Sequence, residues 1–356
     1  MTRRMRAARF HGREIGIRIE EVTYPVPGPG EVVVRLAACG ICGSDVHFLE
    51  GMPVPGGLPI TLGHEPAGVV ETVGSGVRNW RPGDRVAVHL GVGCGTCRVC
   101  VSGHPNCCPQ LVAPGLHIDG AFAEAVRVPA GALVRVPDGV SLAAAAVSTD
   151  CVATPYHALK CRAGLRAGER VAVIGCGGLG GQAVRLARVL GAAQVVAVDV
   201  SPVALERAAR AGATDTIAVP PGDDGVAAVR DVTGGGADVV IECVGTPATV
   251  AAGVRALLPG GRLVAVGVGM LPPGIDLPQA IFALQELAVL GSFGSHPHDL
   301  EEIFRLEATR VIDIEASVSH RLCLDEVAAG LEMLRTKQGD PQRIVVELQT
   351  GAGGST

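Results

Sequence analysis

Two short stretches of the chain combine the side chains that bind a metal ion. Residues 40–47 read GICGSDVH, and residues 63–65 read GHE. Cysteine thiolates, imidazoles and carboxylates are the usual zinc ligands, and a catalytic zinc keeps three protein ligands and one open position. We therefore predict that Cys42 and His64 are two ligands of a catalytic metal ion, and that the third ligand comes from elsewhere in the chain.

The neighbouring polar residues have roles that follow from their chemistry. Ser44 offers a hydroxyl and His47 an imidazole, and together they can carry a proton from a bound hydroxyl group to water. Asp45 is predicted to accept a hydrogen bond from the ring N–H of His64. Glu65 is either an occasional fourth ligand or a charge that balances the field of the metal, and the sequence leaves both open.

A second metal motif lies further along the chain. Cys94, Cys97 and Cys100 have the spacing C-x2-C-x2-C, and Cys107 and Cys108 compete for the fourth position. Four thiolates on one loop form a closed tetrahedral zinc site, which stabilises a lobe and does no chemistry. The sequence therefore predicts two zinc ions per chain, one catalytic and one structural.

Residues 170–180, RVAVIGCGGLG, join an apolar β-branched run to a glycine-rich turn, and a helical pattern follows. A strand, G-x-G-x-x-G and a helix in this order are typical of a dinucleotide-binding turn, where the helix N-terminus meets the pyrophosphate. The predicted cofactor contacts in this turn are Gly175, Gly177, Gly178, Leu179 and Gly180.

Three later strand ends are predicted to contact the same cofactor. Asp199 ends the next strand, where an acid binds the 2′-hydroxyl of the adenosine ribose. Its charge would repel a 2′-phosphate, which favours NAD over NADP; the alternative is that Asp199 only caps the following helix. Val244 and Val266 follow further buried strands, whose carboxyl ends face the ligand in a doubly wound sheet.

Composition limits the class of protein. The chain has 356 residues, 48% of them hydrophobic and 18% charged, which is enough for two domains with substantial cores. A net charge of −5 gives no reason to expect nucleic acid or an anionic membrane as a partner. No secretory signal and no apolar run of membrane-spanning length is visible, so we expect a cytoplasmic protein, in which twelve cysteines favour metal binding over disulfides.

The order of these patterns predicts an α/β protein with two domains. Residues 1–153 carry short strands separated by turns, which indicates a barrel-like β domain, with the four-cysteine lobe at about 91–110. Residues 154–292 alternate apolar strands with helices, which indicates a doubly wound parallel sheet. Residues 293–356 are predicted to return to the first domain.

Together, the two metal motifs and the nucleotide fingerprint resemble the zinc-dependent medium-chain dehydrogenase/reductase family, which contains the zinc alcohol dehydrogenases. The resemblance implies a GroES-like β-barrel catalytic domain and a Rossmann cofactor domain. It also implies an NAD-dependent oxidoreductase that converts a primary, secondary or polyol alcohol to the aldehyde or ketone. A homodimer or homotetramer joined through the nucleotide domains is expected from the same resemblance.

The resemblance also assigns residues that the spacing alone leaves open. In the family, the third catalytic ligand precedes the aromatic residue of a segment such as 148–159, which favours Asp150 over its neighbour Cys151. The family spacing favours Cys108 as the fourth structural ligand. Arg343 is implied to lie between Asp45 and the cofactor pyrophosphate.

Three other functions are alternatives to an NAD-dependent alcohol dehydrogenase. Zinc-free quinone or enoyl reductases share the fold but typically lack both metal motifs. A biosynthetic reductase of a C=C or C=N bond is expected to lose the relay of Ser44 and His47, which this chain has. A non-catalytic NAD-binding protein would hold zinc and NADH and turn over no alcohol.

Overall fold

The structure, a computed structural model, describes residues 2–348 except 270, 273 and 276. The chain forms two compact units: unit 1 comprises Met1–Asp150 and Ser295–Thr356, and unit 2 comprises Cys151–Gly294. The boundaries predicted from the sequence were 153/154 and 292/293, and the units divide at 150/151 and 294/295. Residues 349–356, which it assigned to the final segment, lie outside the described residues.

The strands are short, as the turn residues between the apolar runs predict. They are β1 Arg4–Phe10, β2 Ile17–Thr23, β3 Glu31–Ile41, β4 Ile60–Thr61, β5 Glu65–Val73, β6 Arg85–Val88, β7 Ala125–Pro129, β8 Leu133–Arg135, β9 Arg170–Ile174, β10 Gln194–Asp199, β11 Asp215–Ala218, β12 Ala237–Glu242, β13 Leu257–Ala265, β14 Ala288–Gly291, β15 Val318–Leu322 and β16 Arg343–Glu347.

The helices connect these strands or close the ends of the chain. They are α1 Gly43–Leu49, α2 Arg98–Val101, α3 Leu142–Val147, α4 Ala153–His157, α5 Gly178–Val189, α6 Pro202–Ala211, α7 Val226–Val232, α8 Pro247–Arg255, α9 Gln279–Leu284, α10 Pro297–Ala308 and α11 Val327–Thr336. Two wide turns of π-helix, Ser148–Val152 and Ala158–Arg162, flank α4.

Unit 1 is built on a seven-stranded sheet in which β3 is central. The order is β15-β16-β3-β5-β6-β8, β7 also pairs with β3, and β2-β1-β4 form a separate small sheet. Antiparallel pairing places Gly40 opposite Glu65 on one side and opposite Val345 on the other. A side chain at position 40 would place its Cβ 1.9 Å from the Glu65 carboxylate, so this position requires glycine.

Unit 2 is a six-stranded parallel sheet in the order β11-β10-β9-β12-β13-β14. The central strands are rich in valine and alanine and are buried, as strands covered on both faces require. Numbered within the unit, this order is 3-2-1-4-5-6, that of the Rossmann fold. The predicted α/β class and the doubly wound sheet are confirmed.

Among the residues that the structure describes, no helix combines the length and the apolar character needed to cross a lipid bilayer.

Candidate active site

The segment GICGSDVH joins a strand to a helix. Cys42 follows β3 and is the N-cap of α1, and its backbone N–H donates to Oδ2 of Asp45 at 3.0 Å. This bond closes the turn, because an acid at the third helical position accepts from the N-cap backbone. Cys42 is thereby fixed at the end of the central strand, with its side chain buried.

The structure brings together one thiol, one imidazole and two carboxylates. The ligand atoms of Cys42, His64, Glu65 and Asp150, which we call the mixed cluster, all lie within 4.8 Å of one another. Sγ of Cys42 lies 3.3 Å and Nε2 of His64 lies 3.6 Å from Oδ2 of Asp150. All four side chains are buried, and three of them, Cys42, His64 and Asp150, form a donor set that fits a zinc ion with room for a further ligand.

Asp45 orients the imidazole of the mixed cluster. Its Oδ1 lies 3.4 Å from Nδ1 of His64, so Nε2 is the ring nitrogen that faces Asp150. Asp45 is fully buried. A carboxylate in this position can fix the tautomer and ring orientation of a metal-binding histidine. The two atoms are at ion-pair distance without a hydrogen bond between them, so the predicted N–H bond from His64 to Asp45 stays a prediction.

Burial and mutual charge shift the ionisation of the cluster. Burial raises the pKa of the Cys42 thiol, and the charge of Asp150 raises it further. Burial also raises the pKa of Glu65, to about 7, although Arg343 opposes the change. For His64, burial lowers the pKa, but Asp45 and Asp150 outweigh it and the net pKa lies well above the ordinary value. A bound cation would displace these protons, as metal binding to thiol and imidazole ligands does.

Asp150 and Cys151 are adjacent in sequence, but only Asp150 belongs to the mixed cluster. The thiol of Cys151 donates to the backbone carbonyl of Gly178 at 3.3 Å, within unit 2. Asp150 lies in the wide turn Ser148–Val152, and such π-helical turns occur frequently at functional sites. The geometry therefore favours Asp150 as the third ligand.

Ser44 and His47 lie on α1, directly after the cysteine of the cluster. Ser44 is half-buried, and its Oγ lies 3.8 Å from Sγ of Cys42. Nδ1 of His47 is buried and has no hydrogen-bond partner among the described residues. A hydroxyl beside the cluster and an imidazole one helical turn further are the parts that a proton relay needs.

Arg343 forms a buried ion pair with Glu65. Glu65 begins β5 and Arg343 begins β16, and both strands pair with β3. The resemblance implied contacts of Arg343 with Asp45 and a pyrophosphate, which stay predictions. Sequence reasoning missed the contact with Glu65, since nothing in either local motif signals it.

Cys94, Cys97, Cys100 and Cys108, which we call the four-cysteine lobe, also have their sulfur atoms within 4.8 Å of one another. Backbone N–H groups of Cys97 and Cys100 donate to the sulfur atoms of Cys94 and Cys97 at 3.3 and 3.4 Å. Such bonds stabilise thiolates, and four thiolates fit a closed zinc site. The competing Cys107 is exposed and lies outside the lobe.

The glycine-rich turn of unit 2 has the geometry of a phosphate-binding loop. Gly175 follows β9 with a φ of +84°, and a Cβ at position 180 would lie 1.7 Å from the carbonyl of Gly175. Gly177 is the N-cap of α5, and Gly178 and Leu179 begin that helix. The helix N-terminus therefore lies directly behind the turn, where it can attract an anion.

The carboxylate of Asp199 holds this turn as well as ending β10. Its Oδ2 accepts from the backbone N–H of Cys176 at 2.6 Å, and its Oδ1 accepts from that of Ser201 at 2.8 Å. The side chain that caps α6 is that of Ser201, so Asp199 is not the cap of the following helix but joins the start of that helix to the glycine-rich turn. Its contact with a ribose stays a prediction. Val244 and Val266 lie just beyond β12 and β13, at the same carboxyl edge of the sheet.

A third group of possible ligands, His296, His298 and Asp299, lies at the start of α10. Oδ2 of Asp299 accepts from the backbone N–H of His296 at 2.8 Å, and Nε2 of His296 is 3.1 Å from Oδ1 of Asn106. The first bond belongs to a capping box and the second ties His296 to Asn106, which together explain the cluster without a metal.

Comparison with known proteins identifies the family. Residues 28–138 match the alcohol dehydrogenase GroES-like domain, and residues 178–309 match the zinc-binding dehydrogenase domain. An alcohol dehydrogenase of Geobacillus stearothermophilus is 37% identical over 308 residues, covering 85% of this chain and 89% of that protein. A sorbitol dehydrogenase of Gallus gallus is 33% identical over 337 residues, covering 93% of both proteins.

The fold is shared with a zinc-binding dehydrogenase from Sinorhizobium meliloti whose structure contains NADP. The TM-score is 0.89 at 34% identity, with 97% of this chain and 99% of that chain covered. The fold and both domain matches agree with the site geometry. The chain therefore belongs to the zinc-dependent medium-chain dehydrogenase/reductase family, and this confirms the resemblance and the GroES-like fold.

Proposed function

We propose that this protein is a zinc- and NAD-dependent dehydrogenase that converts a primary, secondary or polyol alcohol to the aldehyde or ketone, reversibly. The observation that carries the proposal is the buried mixed cluster, with the Ser44 hydroxyl 3.8 Å from its thiol. The proposed ligands of the catalytic zinc are Cys42, His64 and Asp150, and Glu65 is close enough to serve as a fourth.

A zinc ion on these ligands would lower the pKa of an alcohol hydroxyl, and NAD would accept the hydride. The residues of this chain supply the charge, the orientation and the water-free surroundings of the site. Cys42 and Asp150 supply the negative charge of the site, and Asp45 holds His64 in one orientation. Burial of all four cluster residues excludes water, which strengthens the electrostatic effects inside the site.

The proton is proposed to leave through α1. Ser44 Oγ would accept the proton of the alcohol and pass it by way of the cofactor ribose to His47 and on to water. Nδ1 of His47 is buried and has no hydrogen-bond partner among the described residues, and both residues lie on the helix whose N-cap is Cys42. Arg343, paired with Glu65, is proposed to decide how far Glu65 can approach the metal.

NAD is proposed as the cofactor in preference to NADP. The support is Asp199, a carboxylate at the end of β10 that would repel a 2′-phosphate. The structure of the Sinorhizobium meliloti protein contains NADP, so affinity for both cofactors is the measurement that tests the assignment. The Kd for NADH is expected to be lower than that for NADPH, and an Asp199→Ser variant should narrow the difference.

A homodimer or homotetramer joined through unit 2 is proposed as the assembly. Strand β14 ends the sheet and pairs only with β13 among the described strands, which leaves an edge that another strand can extend. Leu284, at the end of α9, is 85% exposed and adds apolar surface to the same unit. Light scattering on the purified protein would give the number of subunits.

The experiment that tests the function combines metal analysis with an alcohol panel. The purified protein should contain two zinc ions per chain, and absorbance of NADH should rise with NAD and at least one of ethanol, a secondary alcohol, sorbitol or a vicinal diol. A protein that holds zinc and NADH but oxidises none of them, and reduces none of the matching carbonyl compounds, would overturn the proposal. Reduction of a conjugated C=C or a C=N substrate alone would favour the biosynthetic reductase.

A further inference from the structure

Glu242 is a fully buried acid at the end of an apolar strand of unit 2. A single carboxylate oxygen, Oε1, accepts from three donors. These are the backbone N–H groups of Val244 and Gly245, both at 2.8 Å, and the hydroxyl of Thr249 at 2.9 Å. The side chain therefore fixes the loop that leaves β12 and the first turn of α8.

The backbone of the same residue fixes a second loop. The carbonyl of Glu242 accepts from the N–H groups of Val266 and Gly267 at 2.8 and 3.0 Å. The two loops touch directly, because a Cβ at position 267 would lie 2.2 Å from the nitrogen of Gly245. Gly245 has a φ of +83°, so the contact depends on glycine on both sides.

The loop held by Glu242 also reaches the glycine-rich turn. A Cβ at Gly175 would lie 2.5 Å from Cγ2 of Val244, and the backbone N–H of Cys243 donates to the carbonyl of Ile174 at 2.9 Å. The loops that follow β9, β12 and β13, all at the carboxyl edge of the sheet, therefore meet around Glu242. In a sheet of this order, ligands bind at that edge.

A purely structural acid would have both oxygens paired, and Glu242 does not. Its Oε2 is buried and has no hydrogen-bond partner among the described residues. An unpaired buried carboxylate oxygen is costly to the folded state, which points to a role of Glu242 other than stability.

We propose that Glu242 is a positioning residue for the nicotinamide dinucleotide: its side chain holds Val244 and Gly245 in place at the carboxyl edge, in contact with the loop that contains Val266. The inference rests on the proposed function, because it requires that the dinucleotide binds to unit 2. Glu242 itself need not touch the cofactor, so its loss should weaken cofactor binding through the loops.

Unit 2 offers a matched control in Glu169, a second buried acid that lies just before β9, at the opposite edge of the sheet. Its Oε2 accepts from the guanidinium of Arg262 at 2.7 Å and from the backbone N–H of Arg166 at 2.8 Å, and its Oε1 accepts from the guanidinium of Arg166 at 2.9 Å. Both oxygens are paired with donors, so Glu169 is expected to stabilise the unit without affecting the cofactor.

The test measures the Kd for NADH and the thermal unfolding temperature of the full-length protein and three variants. Glu242→Ala should raise the Kd about 10- to 100-fold, the cost of displaced binding groups. Glu242→Gln keeps an oxygen at the position of Oε1 and should raise it only about threefold, because a charged acceptor binds roughly twice as strongly as a neutral one. Glu169→Gln should lower the unfolding temperature and leave the Kd unchanged.

Steady-state kinetics separates positioning from general damage. In both Glu242 variants the KM for NAD should rise, while kcat at saturating NAD stays within about threefold of the parent, as expected when only binding is lost. If Glu242→Ala does not fold, Glu242→Gln carries the same test. An unchanged Kd and KM in the variant that folds would overturn the inference, as would an equal loss of affinity in Glu169→Gln. A parent that binds no NADH would overturn the proposed function together with it.

Discussion

Unit 1 contains two clusters suited to the same ion, and they differ in almost every other property. The mixed cluster combines sulfur, nitrogen and oxygen donors, all buried. The four-cysteine lobe has four sulfur donors, of which Cys94, Cys97 and Cys100 are half-exposed and Cys108 is buried. A closed set of four thiolates saturates zinc, whereas the three ligands proposed in the mixed cluster leave a fourth position that a substrate can occupy.

The two clusters also differ in how the chain builds them. The lobe takes its ligands from a single loop, whose backbone N–H groups point at the sulfur atoms. The mixed cluster takes Cys42 from the end of β3, His64 from the residue before β5, and Asp150 from a wide helical turn 108 residues beyond Cys42. Its geometry therefore depends on the whole sheet of unit 1, and the lobe depends mainly on its metal. We expect loss of a ligand to abolish activity in the first and to lower stability in the second.

The largest effect is expected for Cys42→Ser. Zinc supplies several kcal/mol to reactions of this type, and each 1.4 kcal/mol is about tenfold in rate, so kcat/KM should fall by at least about 10³-fold. Zinc content should fall from two ions per chain to one. The control is Cys161→Ser, which removes an exposed thiol of unit 2. Alcohol oxidation at the parent rate by Cys42→Ser would show that the mixed cluster is not the catalytic site.

Cys97→Ser should give the opposite pattern. Loss of one thiolate opens the four-cysteine lobe, and metal binding there contributes directly to folding. We expect a loss of about 3 kcal/mol in the free energy of unfolding, which corresponds to roughly 6–12 °C in the unfolding temperature of a unit of this size. The kcat of the folded protein should stay within a few-fold of the parent. If Cys97→Ser were as inactive as Cys42→Ser and as stable as the parent, the proposed difference between the two clusters would be wrong.

How much of this could be predicted from the sequence depends on how local each feature is. The four-cysteine spacing and the glycine-rich turn lie within short segments, so their residue order already indicates the geometry. The choice between Asp150 and Cys151 could not be made from local spacing, because neighbouring residues on a helix point about 100° apart and the phase of the turn decides which one faces the cluster.

Contacts between residues far apart in the chain could not be predicted from the sequence. Arg343 and Glu65 are 278 residues apart, and they meet because β16 and β5 flank the same strand. That register becomes visible only once the sheet is formed. Glu242 carried one usable signal, an acid within the apolar run ADVVIE, but its three donors all come from backbone and side-chain groups that follow the strand.

A moderate effect is expected at the third ligand of the mixed cluster. Asp150→Asn removes a negative charge but keeps an oxygen donor at the metal, so it should lower zinc retention and kcat/KM less than Cys42→Ser does, by about 10- to 100-fold, the range for a weakened metal environment. Asp150→Cys keeps the ligand charge and offers a softer donor, so it should retain more zinc than Asp150→Asn. Cys151→Ser should change neither quantity by more than about twofold, since this thiol bonds Gly178. Zinc loss in Cys151→Ser and not in Asp150→Asn would reverse the assignment.

The smallest effect is expected for Cys107→Ser, which tests the boundary of the four-cysteine lobe. Cys107 is one of three exposed cysteines, with Cys161 and Cys323, while Cys108 is buried and lies within the lobe. In the zinc-loaded protein these three thiols should react fast with a thiol reagent, because thiolates that hold zinc are protected, and the variant should show two. The unfolding temperature should stay within about 2 °C, as for an ordinary surface substitution. If the variant instead lost one zinc ion, Cys107 would be the fourth ligand, and the lobe would bind its metal through a thiol on the surface.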